Sequence, residues 1–114
     1  MDKKLTNLKA HCEHYIEVSQ KAEKDFIQNV KESPLFAFEW QDGVIEAISY
    51  GKMCERILKA IENGRTFKQL VEDIAESCLK NSQWRNKSTS AMSNLVKDIE
   101  QQTRGKFLEY IKYM

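Results

Sequence analysis

Helix-breaking residues are scarce in this chain, whose 114 residues include only four glycines and one proline. A β-rich domain normally carries turn residues about every 8 to 12 positions, and the long segments between these breakers leave few places for such turns. Apolar residues make up 41% of the chain and charged residues 31%, which is ordinary for a globular protein. The scarcity of breakers therefore predicts an all-α fold.

Apolar residues recur at steps of three and four positions, which is the period of an amphipathic helix. The pattern predicts helices over about 3–31, 34–63, 67–80 and 88–112. A chain of this length buries enough surface to fold without metal or disulfide support. We therefore expect a single domain over 1–114 with the architecture of a four-helix bundle.

Local signals mark the predicted helix ends. Pro34 suits the first turn of a helix, and Ser33 before it suits the N-cap. Gly64 suits the end of the second helix, and Thr66 with Gln69 matches a capping box for the third. These signals predict where one helix stops and the next begins.

The segment Ser33–Gly43 concentrates two phenylalanines, a tryptophan and two carboxylates. If the segment is helical, Phe36 and Trp40 begin an apolar stripe that continues at steps of three and four to Ile61. We therefore expect Phe36 and Trp40 in the core.

A β-hairpin is the alternative for this region. Strands over 35–40 and 44–50 would be joined through Asp42-Gly43, a known hairpin signal. The helical stripe crosses Gly43 without losing its phase, which favours one helix with a weak point at 41–43.

Four residues fall off the predicted stripe and form an acidic-aromatic surface: Phe38, Glu39, Asp42 and Glu46. Aromatic side chains supply contact area at protein interfaces, and carboxylates steer a basic partner. We predict that these four residues bind another protein. The alternative is that Glu39 and Asp42 are only the solvated side of the second helix.

Residues suited to catalysis or metal binding are few. His11, His14 and Glu17 are close along the first helix, but they do not share its apolar face, so no metal site is predicted. The sequence shows neither a nucleophile elbow nor a glycine-rich phosphate loop. We expect no enzyme activity and no cofactor.

Cysteine usage and the start of the chain bear on the compartment. Cys12, Cys54 and Cys78 are widely spaced on apolar stripes, and they are predicted to be buried free thiols. The first residues lack the apolar stretch of a secretory signal, and no apolar run is long enough for a membrane span. These features predict a cytoplasmic protein that does not associate with membranes.

In its size, its lack of a catalytic motif and its 35–51 stretch, the chain resembles the small helical immunity proteins of bacterial toxin-immunity pairs, including those of contact-dependent growth inhibition. The resemblance implies a protein that neutralises a cognate toxin by binding it. Such a toxin is often a nuclease with a basic active site, which an acidic surface can block. No residue role follows from the resemblance.

Nucleic-acid binding is the alternative function. Residues 77–97 contain no acid and carry Lys80, Arg85 and Lys87, with Trp84 among them, in a stretch predicted to be a loop over 80–87. Segments 70–75 and 88–99 resemble the paired helices of winged-helix regulators. However, the connection between them is long, no wing follows, and the net charge is only +1.

Self-association through the first helix is a further prediction. The apolar positions of that helix follow a near-heptad pattern, which is typical of a coiled-coil seam. A homodimer formed through this helix is therefore one candidate assembly.

Overall fold

The computed structural model describes residues 3–84 and 91–113, with side chains over 3–79 and 95–113. It contains five helices: α1 (Lys3–Glu32), α2 (Pro34–Glu39), α3 (Gln41–Glu62), α4 (Phe67–Trp84) and α5 (Ala91–Lys112). The described residues include no strand, so the all-α prediction is confirmed and the hairpin alternative is wrong. The four long helices form the predicted bundle, with the short α2 at one side.

The most extensive helix contact is that of α1 with α3, and small side chains allow the two backbones to approach closely. Ser19 on α1 and Gly51 on α3 are buried against each other. A Cβ atom on Gly51 would overlap the Ser19 side chain, so only glycine fits there. Cys12 and Cys54, both fully buried, occupy the same interface. Close packing of this kind is sensitive to the addition of a single methyl group.

One core joins all four long helices. Its buried members are Leu8, Cys12, Cys54, Ile57, Ile61, Leu70, Ile74, Phe107 and Ile111. In α1 the buried residues end at Ser19, and α2 packs against α1. Leu8 and Cys12 face the core of their own chain, so a dimer through α1 would have to use other positions of that helix.

The predicted second helix divides at Trp40, and this corrects the predicted core. The backbone of Trp40 leaves the helical region, with φ −104° and ψ 12°, and α3 begins at the next residue. The break at Trp40 interrupts the phase of the stripe, so periodic spacing across it no longer assigns residues to one face. Phe36 and Trp40 are exposed, and the prediction that they belong to the core is wrong.

Two other predictions near α4 need correction. The helix continues to Trp84, so residues 80–84 are not part of a loop. No glycine or proline interrupts this stretch, and helix propagation is favourable where no breaker intervenes. Leu79, which fits the apolar template, is exposed. Residues 85–90, including the predicted start of the last helix at 88, lie outside the described part of the chain.

The predicted end signals of α3 and α4 are confirmed in detail. Gly64 has a positive φ of 90°, and the amides of Gly64 and Arg65 donate to carbonyls of the last turn of α3, as in a Schellman motif. Thr66 and Gln69 exchange side-chain-to-backbone hydrogen bonds of 2.9 and 3.2 Å, which is a capping box. Ser33 precedes α2 as expected but makes no side-chain capping bond.

The polar stretch 101–105 does not divide α5, and two of its side chains donate hydrogen bonds within the bundle. Thr103 is buried and donates to the Ile99 carbonyl at 2.8 Å. Gln101 donates to the Cys78 carbonyl of α4 at 3.0 Å. None of the described helices combines the length and the apolar character required to cross a bilayer.

The α1–α3 contact gives a stability prediction. Gly51→Ala should lower the free energy of unfolding by about 1–3 kcal/mol, because the added methyl group overlaps Ser19. Gly105→Ala is the matched control: its Cβ would meet open space, so this change should raise stability by up to about 1 kcal/mol. Urea denaturation measures both. Equal effects of the two substitutions would contradict the close contact, whereas recovery of Gly51→Ala by Ser19→Gly would support it.

Candidate protein-binding surface

Four large apolar side chains around α2 are exposed to solvent, and we call them the α2 patch. They are Leu35 at 82%, Phe36 at 55%, Phe38 at 53% and Trp40 at 63% exposure. All four occur within six consecutive residues. Exposed apolar side chains concentrated in this way mark a binding surface more often than a single exposed side chain does.

The length of α2 explains why the patch is exposed. A six-residue helix has room to bury one narrow face, and Ala37 occupies that face. The small alanine allows α2 to lie close to α1, and the larger residues on either side of it stay more than half exposed. Ring contacts hold some of them in place: Phe38 lies 6.4 Å from Phe26 of α1, and Phe36 lies 6.1 Å from Trp40.

A shallow apolar groove of about 450 Å³ adjoins the α2 patch between α1 and the start of α3. Phe36 and Trp40 belong to both the patch and the groove. Much of the remaining groove wall is formed by Phe26, Gly43 and Val44. Gly43 lies within a helix and has no atom near the position of a Cβ. Glycine weakens a helix by about 1 kcal/mol relative to alanine. Because no packing contact requires glycine here, its structural effect is to keep the groove open.

The predicted acidic residues differ in their surroundings. Glu39 and Asp42 are exposed and flank Trp40 in the chain, and Asp25 lines the groove. Glu46 forms an ion pair with Lys106 of α5, so its charge is locally compensated. Phe38, Glu39 and Asp42 are thus each exposed, whereas Glu46 takes part in a contact between α3 and α5.

Sequence reasoning missed Leu35, Phe36 and Trp40 as surface residues. The signal that could have identified them is the single small residue, Ala37, among large apolar neighbours following Pro34. A short helix that begins at Pro34 and buries only its alanine exposes the flanking aromatic residues.

The residues predicted to contact nucleic acid fall mostly outside the described part of the chain. Lys80 and Trp84 belong to the last turns of α4, where the side chains are not described. Arg85 and Lys87 lie outside the described residues altogether. The DNA- or RNA-binding hypothesis therefore stays a prediction.

A second aromatic cluster joins α1, α3 and α5 around His11. Its Nε2 shares a 2.6 Å hydrogen bond with the Tyr50 hydroxyl, and its ring stacks on Tyr110 at 4.1 Å. Burial lowers the pKa of His11, and the charge of nearby His14 lowers it further. Burial also raises the pKa of Tyr50 above its ordinary value. Both side chains are therefore held neutral around pH 7.

The thiols and the histidines form no arrangement suited to nucleophilic or metal chemistry within the described residues. A hydrogen bond to Cys12, together with burial, raises the pKa of the Cys54 thiol, and burial raises the pKa of Cys78. The reactive form of cysteine is the thiolate, which these surroundings disfavour. No group of three or more histidine, cysteine or acidic side chains in the described ranges is placed to hold a metal ion.

Comparison with protein-family models, with curated proteins and with solved structures produced no match to this chain. The interpretation of its surfaces therefore depends on their own geometry and chemistry.

The His11 cluster gives a prediction of pH dependence. Because the folded state lowers the pKa of His11 from 6.5, the unfolded chain binds its proton more readily. The free energy of unfolding should therefore fall as the pH drops below about 6.5 and level off below the folded-state pKa. His11→Gln should remove this part of the decrease. Urea denaturation at a series of pH values measures it.

His14→Gln is the control for this experiment, because His14 is exposed and lowers the pKa of His11 less than burial does. This variant should retain most of the acid-dependent loss. An identical pH profile for the parent chain and His11→Gln would show that His11 does not contribute.

Proposed function

We propose that this chain is a non-enzymatic binding protein of the immunity type, which neutralises a cognate toxin by docking the α2 patch onto it. The observation that carries the proposal is the exposure of four large apolar side chains within residues 35–40. Interface energy concentrates in a few aromatic anchors. Phe36, Phe38 and Trp40 are anchors of this kind, already presented on the surface of the folded chain.

The scaffold beneath the patch supports the same function. Ala37 is buried, and ring contacts orient the aromatic side chains. Holding an anchor in its bound orientation reduces the entropy lost on association. The groove beside the patch offers room for a side chain of the partner.

The charges around the patch favour a basic partner. Glu39 and Asp42 are exposed beside it, and Asp25 lines the groove. Carboxylates at the rim of an interface attract an oppositely charged surface and increase the association rate. The active site of a nuclease must bind phosphates and is commonly basic. A nuclease toxin blocked at its active site is therefore the partner class that fits these charges.

The first test uses growth protection. The product of the neighbouring reading frame is expressed as the candidate toxin, with and without this chain, and its complex with the purified chain is measured by titration. The parent chain should restore growth, and Phe36→Ser with Trp40→Ser should abolish protection, because both anchors are lost. Both side chains are exposed, so circular dichroism should show unchanged helix content.

Leu79→Ser is the matched control, since Leu79 is equally exposed but lies on α4. This variant should protect as well as the parent chain. A second probe is Gly43→Met, which has space at the Cβ position and should fill the groove and weaken binding without unfolding the chain. Full protection by the Phe36/Trp40 variant would exclude the α2 patch as the inhibitory surface.

The second test addresses charge. Glu39→Lys combined with Asp42→Asn should slow association with the toxin and reduce its salt dependence, because rim charges act mainly on the association rate. Asparagine at position 42 limits the disturbance of the first turn of α3. Stopped-flow mixing at several salt concentrations measures the effect. The control is Glu13→Lys with Glu17→Lys, at exposed positions of α1. An equal loss of association rate in both double variants would show that the local acidic surface has no special role.

A further inference from the structure

A cleft between α3, α4 and α5 shares no residue with the α2 patch or its groove. It has two adjoining chambers of about 200 Å³ and 140 Å³. Met53, Arg56 and Arg104 line both chambers. Ile57, Leu70 and Ile74, all buried, line the larger one. The cleft therefore combines an apolar wall with two arginine residues.

The positive charge of Arg104 is poorly compensated, although this side chain is only 15% exposed. Among the described residues, its ion-pair partner is Glu100 at 3.9 Å, a separation beyond that of a hydrogen bond. A guanidinium carries five N–H donors, and a charge removed from water requires close partners. The geometry leaves donors of Arg104 available to a ligand in the cleft.

Arg56 adds a second positive charge to the same chambers. No carboxylate within the described ranges forms an ion pair with it. Two arginines that line one cleft carry like charges, and nearby like charges disfavour each other unless an anion lies between them. An anion that accepts hydrogen bonds from both would remove that repulsion.

The acidic residues of the cleft do not cancel this charge in the larger chamber. Asp73 lines that chamber, but both of its carboxylate oxygens accept hydrogen bonds from Arg65, at 2.6 to 3.1 Å. Glu100 lines only the smaller chamber. The uncompensated charge of the larger chamber is therefore positive.

We propose that the larger chamber binds a small carboxylic acid, with the carboxylate on Arg56 and Arg104 and the apolar chain against Ile57, Leu70 and Ile74. Arginine and carboxylate groups match in geometry and form strong charge-assisted hydrogen bonds. At about 30 Å³ for each non-hydrogen atom, the chamber holds a ligand of about seven such atoms. Hexanoate, with six carbons and two oxygens, is close to this size and is a suitable probe.

The test observes the methyl group of Met53 by NMR on protein with ¹³C-methyl methionine, with Met53→Leu used for assignment. Hexanoate should shift this signal in a saturable way at millimolar concentration. Hexan-1-ol has the same apolar chain but no charge, and it should bind about tenfold or more weakly, because hydrogen bonds to charged groups are the stronger ones. Equal binding of the two compounds, or no saturable shift with hexanoate, would overturn the proposal.

Arg56→Gln tests the charge directly, because the exposed Arg56 can be changed with little effect on folding. This substitution should weaken hexanoate binding about tenfold and leave binding of hexan-1-ol unchanged. Lys59→Gln, an exposed cation of the same helix that does not line the cleft, should bind hexanoate as the parent chain does. Equal affinities in the Arg56→Gln and Lys59→Gln variants would refute the assigned site. Arg104→Gln should show the same selective loss.

Discussion

The close approach of α1 and α3 at Ser19 and Gly51 is the contact on which the rest of the molecule depends. A side chain at Gly51 would overlap Ser19, so the helices can lie this close only because glycine occupies the position. The two buried cysteines, Cys12 and Cys54, are small enough to continue the same interface. Helix α5 then packs on α3, and α4 packs on α5. A larger separation between α1 and α3 would therefore alter the packing of α5 on α3 and of α4 on α5.

The short α2 follows from the same arrangement. Buried residues of α1 end at Ser19, and beyond that point α2 covers part of α1 by means of Ala37. The turn at Trp40 then redirects the chain into α3. Because a six-residue helix buries little, the aromatic residues next to Ala37 stay in water. A monomer gains no stability from exposing them, and this favours a role in binding.

The molecule thus carries two surfaces of different chemistry. The α2 patch is aromatic with exposed carboxylates beside it, which suits a basic protein partner. The cleft among α3, α4 and α5 is apolar with two arginines, which suits a small carboxylate. Neither surface needs the buried thiols or the His11 cluster, whose hydrogen bonds and ring contacts join helices within the bundle.

Within residues 3–84 and 91–113, the sequence pattern predicts the helical class and most helix ends, because helix periodicity and capping are local properties. The capping box of Thr66 and Gln69 and the glycine at 64 show this clearly. The pairing of Glu46 with Lys106 could not be read in this way, since the two residues are 60 positions apart and meet only when α3 and α5 pack. The same limit applies to Phe36 and Trp40. Their periodic spacing is that of core residues, but the helix is interrupted at Trp40 and both rings are exposed to solvent. Periodicity assigns a residue to the face of one continuous helix, whereas the path of the chain through the packed bundle decides which faces are covered.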